Sequence, residues 1–439
     1  MSDRVHSTPI DPTAKAAYAK QGLRFELLET TDETFEPWFQ AMNRGFHAPR
    51  AEADHLPIRV EGFAHRRLAG LWDDSSADAA TPVATASSWI ADLTVPGRRS
   101  IPSWAISTIT VAPTHRRRGI ARNLMEAELR TAQALGVPVA ILTASEATIY
   151  ERFGFAPAAM RADWTIDTTR ATWTGPIPDG KVQLVTTEQG RDEGGHDILE
   201  RARLQTPGQI SFEGHLWKRL FGMPGRANPG DLRVVRYDDA AGTQQGLAIY
   251  KVEDRHDHLP ALVQVEYLTT ATDDAYAALW HYLLDLDLVG TVKAELRAVD
   301  EPIRWQISDS RAATEAAVGD HLWLRILDVK TTLEARHYNA AGVFVLEVDD
   351  PLGFADGTFL LTIDDSGSGV VRQLEDSEGF GGNHHLAMRA SDLAAIYLGA
   401  TSIATLVKAG RIAEKTMGAV VAADAAFRSS VSPWLSIWF

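Results

Sequence analysis

Apolar residues recur along the chain with two periods, and their alternation outlines its elements. Arg24 to Leu28 alternates, with Phe25 and Leu27 on one face, and reads as a strand. Phe35, Phe39, Met42 and Phe46 follow at helical spacing and predict an amphipathic helix over Thr34 to Phe46. After weak strands punctuated by turns such as Pro96-Gly97, Ala105 to Val111 reads as a strand ended by Pro113. Ile120, Leu124, Met125, Leu129 and Ala132 then form one stripe of a helix over Gly119 to Leu135, which Gly136 stops. Val137 to Thr143 is apolar enough for a strand buried on both faces, which completes a strand–helix–strand crossover.

The rest of the chain divides by composition. Residues before Leu23 read as a loose polar arm. Thr, Pro and Gly become frequent around Thr165 to Gly190, as at a domain boundary. Beyond it, helices are expected near Ile198–Arg203 and Ala275–Leu286, and a strand at Leu247–Val252. A further segment from His321 predicts a helix around Thr332–Tyr338 and strands at Gly342–Val348 and Gly357–Ile363. The turn Asp364-Asp365-Ser366-Gly367 follows, then helices at Ala390–Gly399 and Thr401–Ala409. The expected organisation is an arm at 1–22 and domains at 23–170, 171–320 and 321–439. The ending, Ser432 to Phe439, is unusually apolar for a terminus.

Composition narrows the chemistry. With no cysteine in 439 residues there is no disulfide scaffold, thiolate zinc site, iron–sulfur cluster or cysteine nucleophile. Fifty-eight acidic against 43 basic residues give a net charge of −15, which argues against nucleic-acid binding and suits a cationic partner or plain solubility. No run of 18 apolar residues and no apolar leader stretch are seen, so a cytoplasmic protein without a membrane span is expected. His256-Asp257-His258 and His384-His385 read as loops, and no metal is expected. No Ser-His-Asp order or Gly-x-Ser-x-Gly elbow is recognisable.

The most informative stretch runs from Ile109 to Arg122. A strand ends at a proline and feeds a basic, glycine-containing turn at a helix start. Helix N-termini present unpaired N–H groups and a partial positive charge. Gly119 and Ala121 keep side chains out of the way, so the turn can cradle a diphosphate. Arg116-x-x-Gly119-x-Ala121 matches the acetyl-coenzyme A signature of the GNAT N-acetyltransferases. Tyr150, followed four residues later by Gly154-Phe155, is similar to their second hallmark, and a phenol there can protonate a departing thiolate. Backbone groups of Ile109 and Val111 can pair with an extended pantetheine arm.

Val111 to Gly119, together with Ala144-Ser145-Glu146-x-x-Ile149-Tyr150-x-Arg152-Phe153-Gly154, resembles the enhanced intracellular survival (Eis) family of actinobacterial acetyltransferases. Leu322 to Ile326, Leu333 to Arg336, Tyr397 to Ala400 and Ala278 to Trp280 agree with it. The resemblance implies two tandem GNAT folds, with mixed, mostly antiparallel sheets flanked by helices, and a sterol-carrier-like α+β domain. Only the first GNAT fold would bind cofactor. It implies an acetyl-CoA-dependent transfer to amines, of aminoglycosides or of protein lysines, in a ternary complex by a homo-hexamer. A lipid-binding protein with a vestigial GNAT domain is the alternative.

It places acetyl-CoA on Ile109, Thr110, Val111, Arg116, Arg117, Arg118, Gly119, Ile120, Ala121, Arg122, Ser145 and Glu146. Tyr150 would be the general acid, and the C-terminal carboxylate, here that of Phe439, the general base. An α-carboxyl ionises near a pKa of about 3.5, and apolar burial raises it. Phe46, Glu52, Asp54 and Trp438 are the acceptor-side candidates. This chain departs from related sequences in carrying Trp438 before the terminus, where an acidic residue is frequent, and Thr108 in place of a bulky aromatic.

Overall fold

The computed structural model describes residues 2–52, 55–212, 214–222, 229–253, 260–375 and 381–439. Asp54 and the His256-Asp257-His258 loop lie outside the described residues. Twelve strands among them form one continuous sheet. In chain order these are β1 (Arg24–Leu28), β2 (Arg67–Trp72), β3 (Ala84–Val95), β4 (Arg99–Val111), β5 (Val139–Thr143) and β6 (Ala156–Asp167). There follow β7 (Lys181–Val185), β8 (Arg233–Asp238), β9 (Gln244–Glu253), β10 (Ala261–Thr270), β11 (Val289–Arg297) and β12 (Ala313–Ile326). Their spatial order is β1-β2-β3-β4-β5-β12-β6-β11-β10-β9-β8-β7. A second sheet holds β13 (Gly342–Asp349), β14 (Gly357–Ile363), β15 (Gly369–Gln373), β16 (His384–Arg389) and β17 (Ala413–Glu414), in the order β15-β14-β13-β16-β17. The architecture is α+β, two tandem sheet domains joined edge to edge plus a smaller mixed one. Among the described residues no helix is long and apolar enough to cross a membrane.

The expected crossover is present. β4 and β5 are parallel, and helix Ile120–Ala134 joins them, with Leu124, Leu129 and Ala132 fully buried. Two expectations need correction. The change of domain at His321 falls inside β12, which pairs antiparallel with β5 on one side and β6 on the other. The outer half of β12 is largely exposed and the residues from His321 to Ile326 are buried. That switch in burial within one strand reads from sequence as a boundary.

The arm is not loose either. Ser2–Ser7 and Pro12–Ala19 are helices, the second begun by Pro12 behind an Asp11 cap. Val5, Ala14 and Tyr18 are buried, Arg130 grips Asp11 through two bonds of 2.9 Å, and the Tyr18 hydroxyl donates to the Ile120 carbonyl at 2.8 Å. The arm therefore packs on the helix that opens the basic turn. Tyr18→Phe is expected to cost about 0.5–1.5 kcal/mol of stability, read as a lower urea midpoint with unchanged slope. The last eight residues form no strand; they run as a largely buried tail whose Leu435 and Ile437 join the core shared by the two sheets.

Candidate active site

β4 and β5 are paired only over Ser103–Ala105 and Val139–Ile141. Beyond Ala105, β4 continues to Val111 with no strand among the described residues paired to it on that edge, so the two strands splay into a wedge. A register shift between Thr85 and Ser87 and a left-handed φ of 53° at Thr108 kink β4 there. Hydroxyls stitch the kink to β3. Thr85 donates to the Thr108 carbonyl at 2.8 Å and lies 2.6 Å from the Thr110 hydroxyl, and Thr108 Oγ1 bonds Ser87 Oγ at 2.9 Å. Ile109 and Val111 stay half-buried at the wedge. The Thr110 side chain is instead buried against Gly45, where a Cβ would lie 2.4 Å from it.

At the open end of the wedge lies a cavity of about 340 Å³, lined by Val111, His115, Arg116, Arg117, Gly119, Ile120, Ala121, Arg122 and Arg152. Gly119 has φ 76° and open space where a Cβ would stand, Arg117 has φ 63°, and no side chain caps the helix that begins at Ile120. Free N–H groups and four arginines thus face one hollow, a donor set that fits a diphosphate. Arg118 departs from expectation, because it points away and donates to the Gln21 carbonyl at 3.2 Å. Arg152 was not among the expected ligands, although it sits two residues after Tyr150 in the same motif. His115 is held by Asp73 at 3.0 Å, and the Ser75 hydroxyl together with His115 lowers the Asp73 carboxyl to about 2.

Tyr150 ends the turn after β5. Its ring lies 6.2 Å from Trp323 and 6.3 Å from Phe155. Burial raises its phenol pKa, the Ser145 hydroxyl opposes this, and the Glu146 charge adds to it. Tyr150 is therefore a neutral donor at physiological pH. Ser145 and Glu146 are exposed and line no part of the cavity. Gly154 closes the turn at φ 82°, and a Cβ there would stand 2.7 Å from the Arg325 guanidinium, so the position excludes larger residues.

The chain's C-terminus arrives from the opposite face. Thr143, the last residue of β5, donates to a terminal carboxylate oxygen of Phe439 at 3.2 Å, and the Phe439 ring lies edge-on to Trp89 at 5.4 Å. Alternation along β5 explains the placement. Val139 and Ile141 share a core with Phe439, whereas Ala140 and Leu142 share the other core with Tyr150. His321 Nε2 lies 2.8 Å from the Ile437 carbonyl, and burial depresses this imidazole to about 4, so neutral His321 donates that bond. Arg219 donates to the Trp438 carbonyl.

The surroundings of Trp89 and the tail are cationic. Arg66 is 6% exposed, lies 4.2 Å over Trp89 and 4.8 Å over Phe63, and burial with help from Arg219 brings it down to about 9. Trp438 is exposed, packed edge-on to His321 at 4.4 Å. Phe46 and Glu52 are exposed on the chain leaving helix Phe35–Gly45. Thr143 and Trp89 touch the terminus and Arg66 stacks on Trp89, none of them singled out by sequence, since nothing local marks a residue for contact with a segment about 300 or more positions away.

Comparison with known proteins bears on this geometry. The acetyltransferase (GNAT) domain model matches residues 26–158, a second GNAT domain model matches 208–326, and a sterol carrier protein domain model matches 329–436. N-acetyltransferase Eis of Mycobacterium tuberculosis is 36% identical over 347 residues, covering 77% of this chain and 81% of that one. An uncharacterized N-acetyltransferase of Streptomyces avermitilis is 34% identical over 415 residues, covering 90% of this chain and 94% of its own. The crystal structure of Eis1 from Mycobacterium abscessus superposes with a TM-score of 0.79 at 29% identity, over 94% of this chain and all of that one.

Proposed function

As this chain belongs to the Eis family of GNAT N-acetyltransferases, we propose that it moves an acetyl group directly from acetyl-CoA to a primary amine, with Tyr150 as general acid and the Phe439 carboxylate as general base. One observation carries the reading: Tyr150 and Phe439 flank the end of β5 from opposite faces, where β4 and β5 part. A donor thioester reaching the wedge from the basic cavity and an amine entering from the Phe439 side would meet there. Arg116, Arg117, Arg122 and Arg152, with the N–H groups after Gly119, hold the diphosphate. The wedge edge of β4 accepts the pantetheine arm.

The chemistry balances on these groups. The amine nitrogen forms a bond to the acetyl carbon while its proton passes, directly or through one water, to the Phe439 carboxylate. A β4 N–H near Val111 stabilises charge on the carbonyl oxygen. The carbon–sulfur bond breaks as the Tyr150 phenol gives its proton to the leaving sulfur, and solvent restores both groups. The net charge of −15 and the family suit a polycationic acceptor such as an aminoglycoside or a lysine-rich peptide. The buried Arg66 and the nearby Arg219 favour a second reading, an amine whose molecule also carries a carboxylate.

The test is free-thiol release from acetyl-CoA across aminoglycosides, lysine peptides, polyamines and amino-carboxylates, with calorimetric titration of acetyl-CoA and of a fatty acid alongside. Thiol release with at least one amine class is expected; fatty-acid binding without acetyl-CoA binding would overturn the reading. Gly119→Ala strains a left-handed position by about 1–2 kcal/mol and adds a methyl to the cradle, so it is expected to weaken acetyl-CoA binding roughly tenfold by the same titration.

A further inference from the structure

The second GNAT domain repeats the frame of the first. β10 and β11 are parallel, with helix Asp273–Leu284 between them, and their pairing stops at Val265–Ala294. Past that point a cavity of about 1050 Å³ opens between the strand ends and the helix start. This is the counterpart of the wedge that serves the cofactor in the first domain, yet its chemistry is reversed. The Thr272 side chain caps the helix by accepting from the Ala275 N–H at 3.2 Å, and Asp273 and Asp274 fill the first turn. A diphosphate would meet a side-chain-capped helix start with two carboxylates in its first turn, and Arg297 beside it is already paired with Glu301.

What crosses this cleft is the chain's own tail. The Trp434 backbone N–H donates to the Pro207 carbonyl at 3.0 Å and its backbone carbonyl accepts from Gln209 Nε2 at 3.1 Å, while its indole lies 4.8 Å beneath the Arg297 guanidinium. Ser436 Oγ donates to Gln209 Oε1 at 2.8 Å and lies 3.4 Å from the Tyr267 hydroxyl. Arg297 is itself fixed, 6% exposed, by Glu301 at 2.9 Å and the Leu268 carbonyl at 2.8 Å. Glu301 in turn accepts from the Tyr276 hydroxyl and from the Ala298 N–H at 3.2 Å. From Trp434 the chain has five residues left, about 17 Å when extended, before it ends at Thr143.

We infer that the cofactor-type cleft of the second domain is a seat for the C-terminal segment, in which Arg297 and Gln209 hold Trp434 and Ser436 so that the Phe439 carboxylate reaches the first domain's wedge. Arg297, Gln209 and Trp434 are positioning residues. A buried, oriented guanidinium on an indole and a two-point amide clamp set where the last five residues start, and their short span sets where the carboxylate stops. The inference rests on the reading of Phe439 as the base.

The test uses the full-length protein and two readouts. Carboxypeptidase release of Phe439 and Trp438 reports tail seating without reference to chemistry. In Trp434→Ala it is expected to be about tenfold faster than in the parent, with Trp434→Phe close to the parent. In the same variant kcat at saturating acetyl-CoA is expected to fall roughly tenfold or more while the acetyl-CoA dissociation constant holds. Should Trp434→Ala lose acetyl-CoA binding, and so its fold, Gln209→Ala replaces it in both readouts. Parental turnover or parental carboxypeptidase resistance in the folded variant overturns the seat. Parental turnover after deletion of Phe439 overturns the base instead, and the carboxypeptidase rates then judge the seat alone.

Discussion

Tyr150→Phe is expected to lower kcat by about 10²- to 10³-fold while leaving the acetyl-CoA dissociation constant and the unfolding midpoint near parental values. The ring contacts with Trp323 and Phe155 survive the change, so only the hydroxyl is lost. The pH dependence has a definite sign. Burial raises the phenol pKa, so the protonated, donating form persists to higher pH than an ordinary tyrosine near 10 allows. Between about pH 7 and 9 the parent should therefore gain activity as the acceptor amine loses its proton, and the variant should run parallel and lower. A parental alkaline decline beginning below about pH 9 would count against Tyr150 as the acid, as would full turnover in the phenylalanine variant. Stopped assays of thiol release over that range, on one amine, suffice.

Deleting Phe439 should be as severe, with kcat falling by about 10²- to 10⁴-fold. The deletion leaves a carboxylate on Trp438, but it withdraws that group by one residue, about 3.3–3.6 Å, from Thr143. It also removes the ring that meets Trp89. Adding one alanine after Phe439 displaces the charge by a similar length and should be comparably damaging. Phe439→Leu keeps the carboxylate in register and loses an aromatic pair of about 0.5–1.5 kcal/mol, so it should retain most of the activity. Position rather than composition is thus the claim, and equal activity in the deletion, extension and leucine variants would refute it. Acetyl-CoA binding, monitored in parallel, should be indifferent to all three because the basic cavity lies around the start of helix Ile120–Ala134, on the far side of the sheet.

Much of the site was legible because it is local. Arg116 to Arg122 follow one strand and open one helix, so strand end, turn and helix start can be inferred from a dozen residues whose conformations are set by near neighbours. The same holds for Tyr150 and Gly154, spaced by a single tight turn. Within those motifs the structure still selects: Arg118 faces Gln21, Thr110 packs on Gly45, and Arg152 enters the cradle. The arm was misread because its few apolar residues, Val5, Ala14 and Tyr18, are too sparse to show a stripe, and they acquire meaning only against the helix they cover. β12 was divided because its two halves have different neighbours.

By itself, then, the sequence determined the crossover unit, the basic glycine-containing turn at the helix start, the phenol after β5 and the lack of any cysteine to carry an acyl group, because backbone propensity and side-chain chemistry at short range suffice for each. Tertiary structure alone decided that β12 returns to finish the first domain's sheet and that Thr143 and Trp89 meet Phe439, with Arg66 stacked on Trp89. It also decided that the cleft of the second domain receives Trp434. Apart from the stack of Arg66 on Trp89, these are pairings between segments more than one hundred residues apart, chosen by which buried faces and unpaired strand edges remain when the domains close, and no short stretch of sequence contains that information.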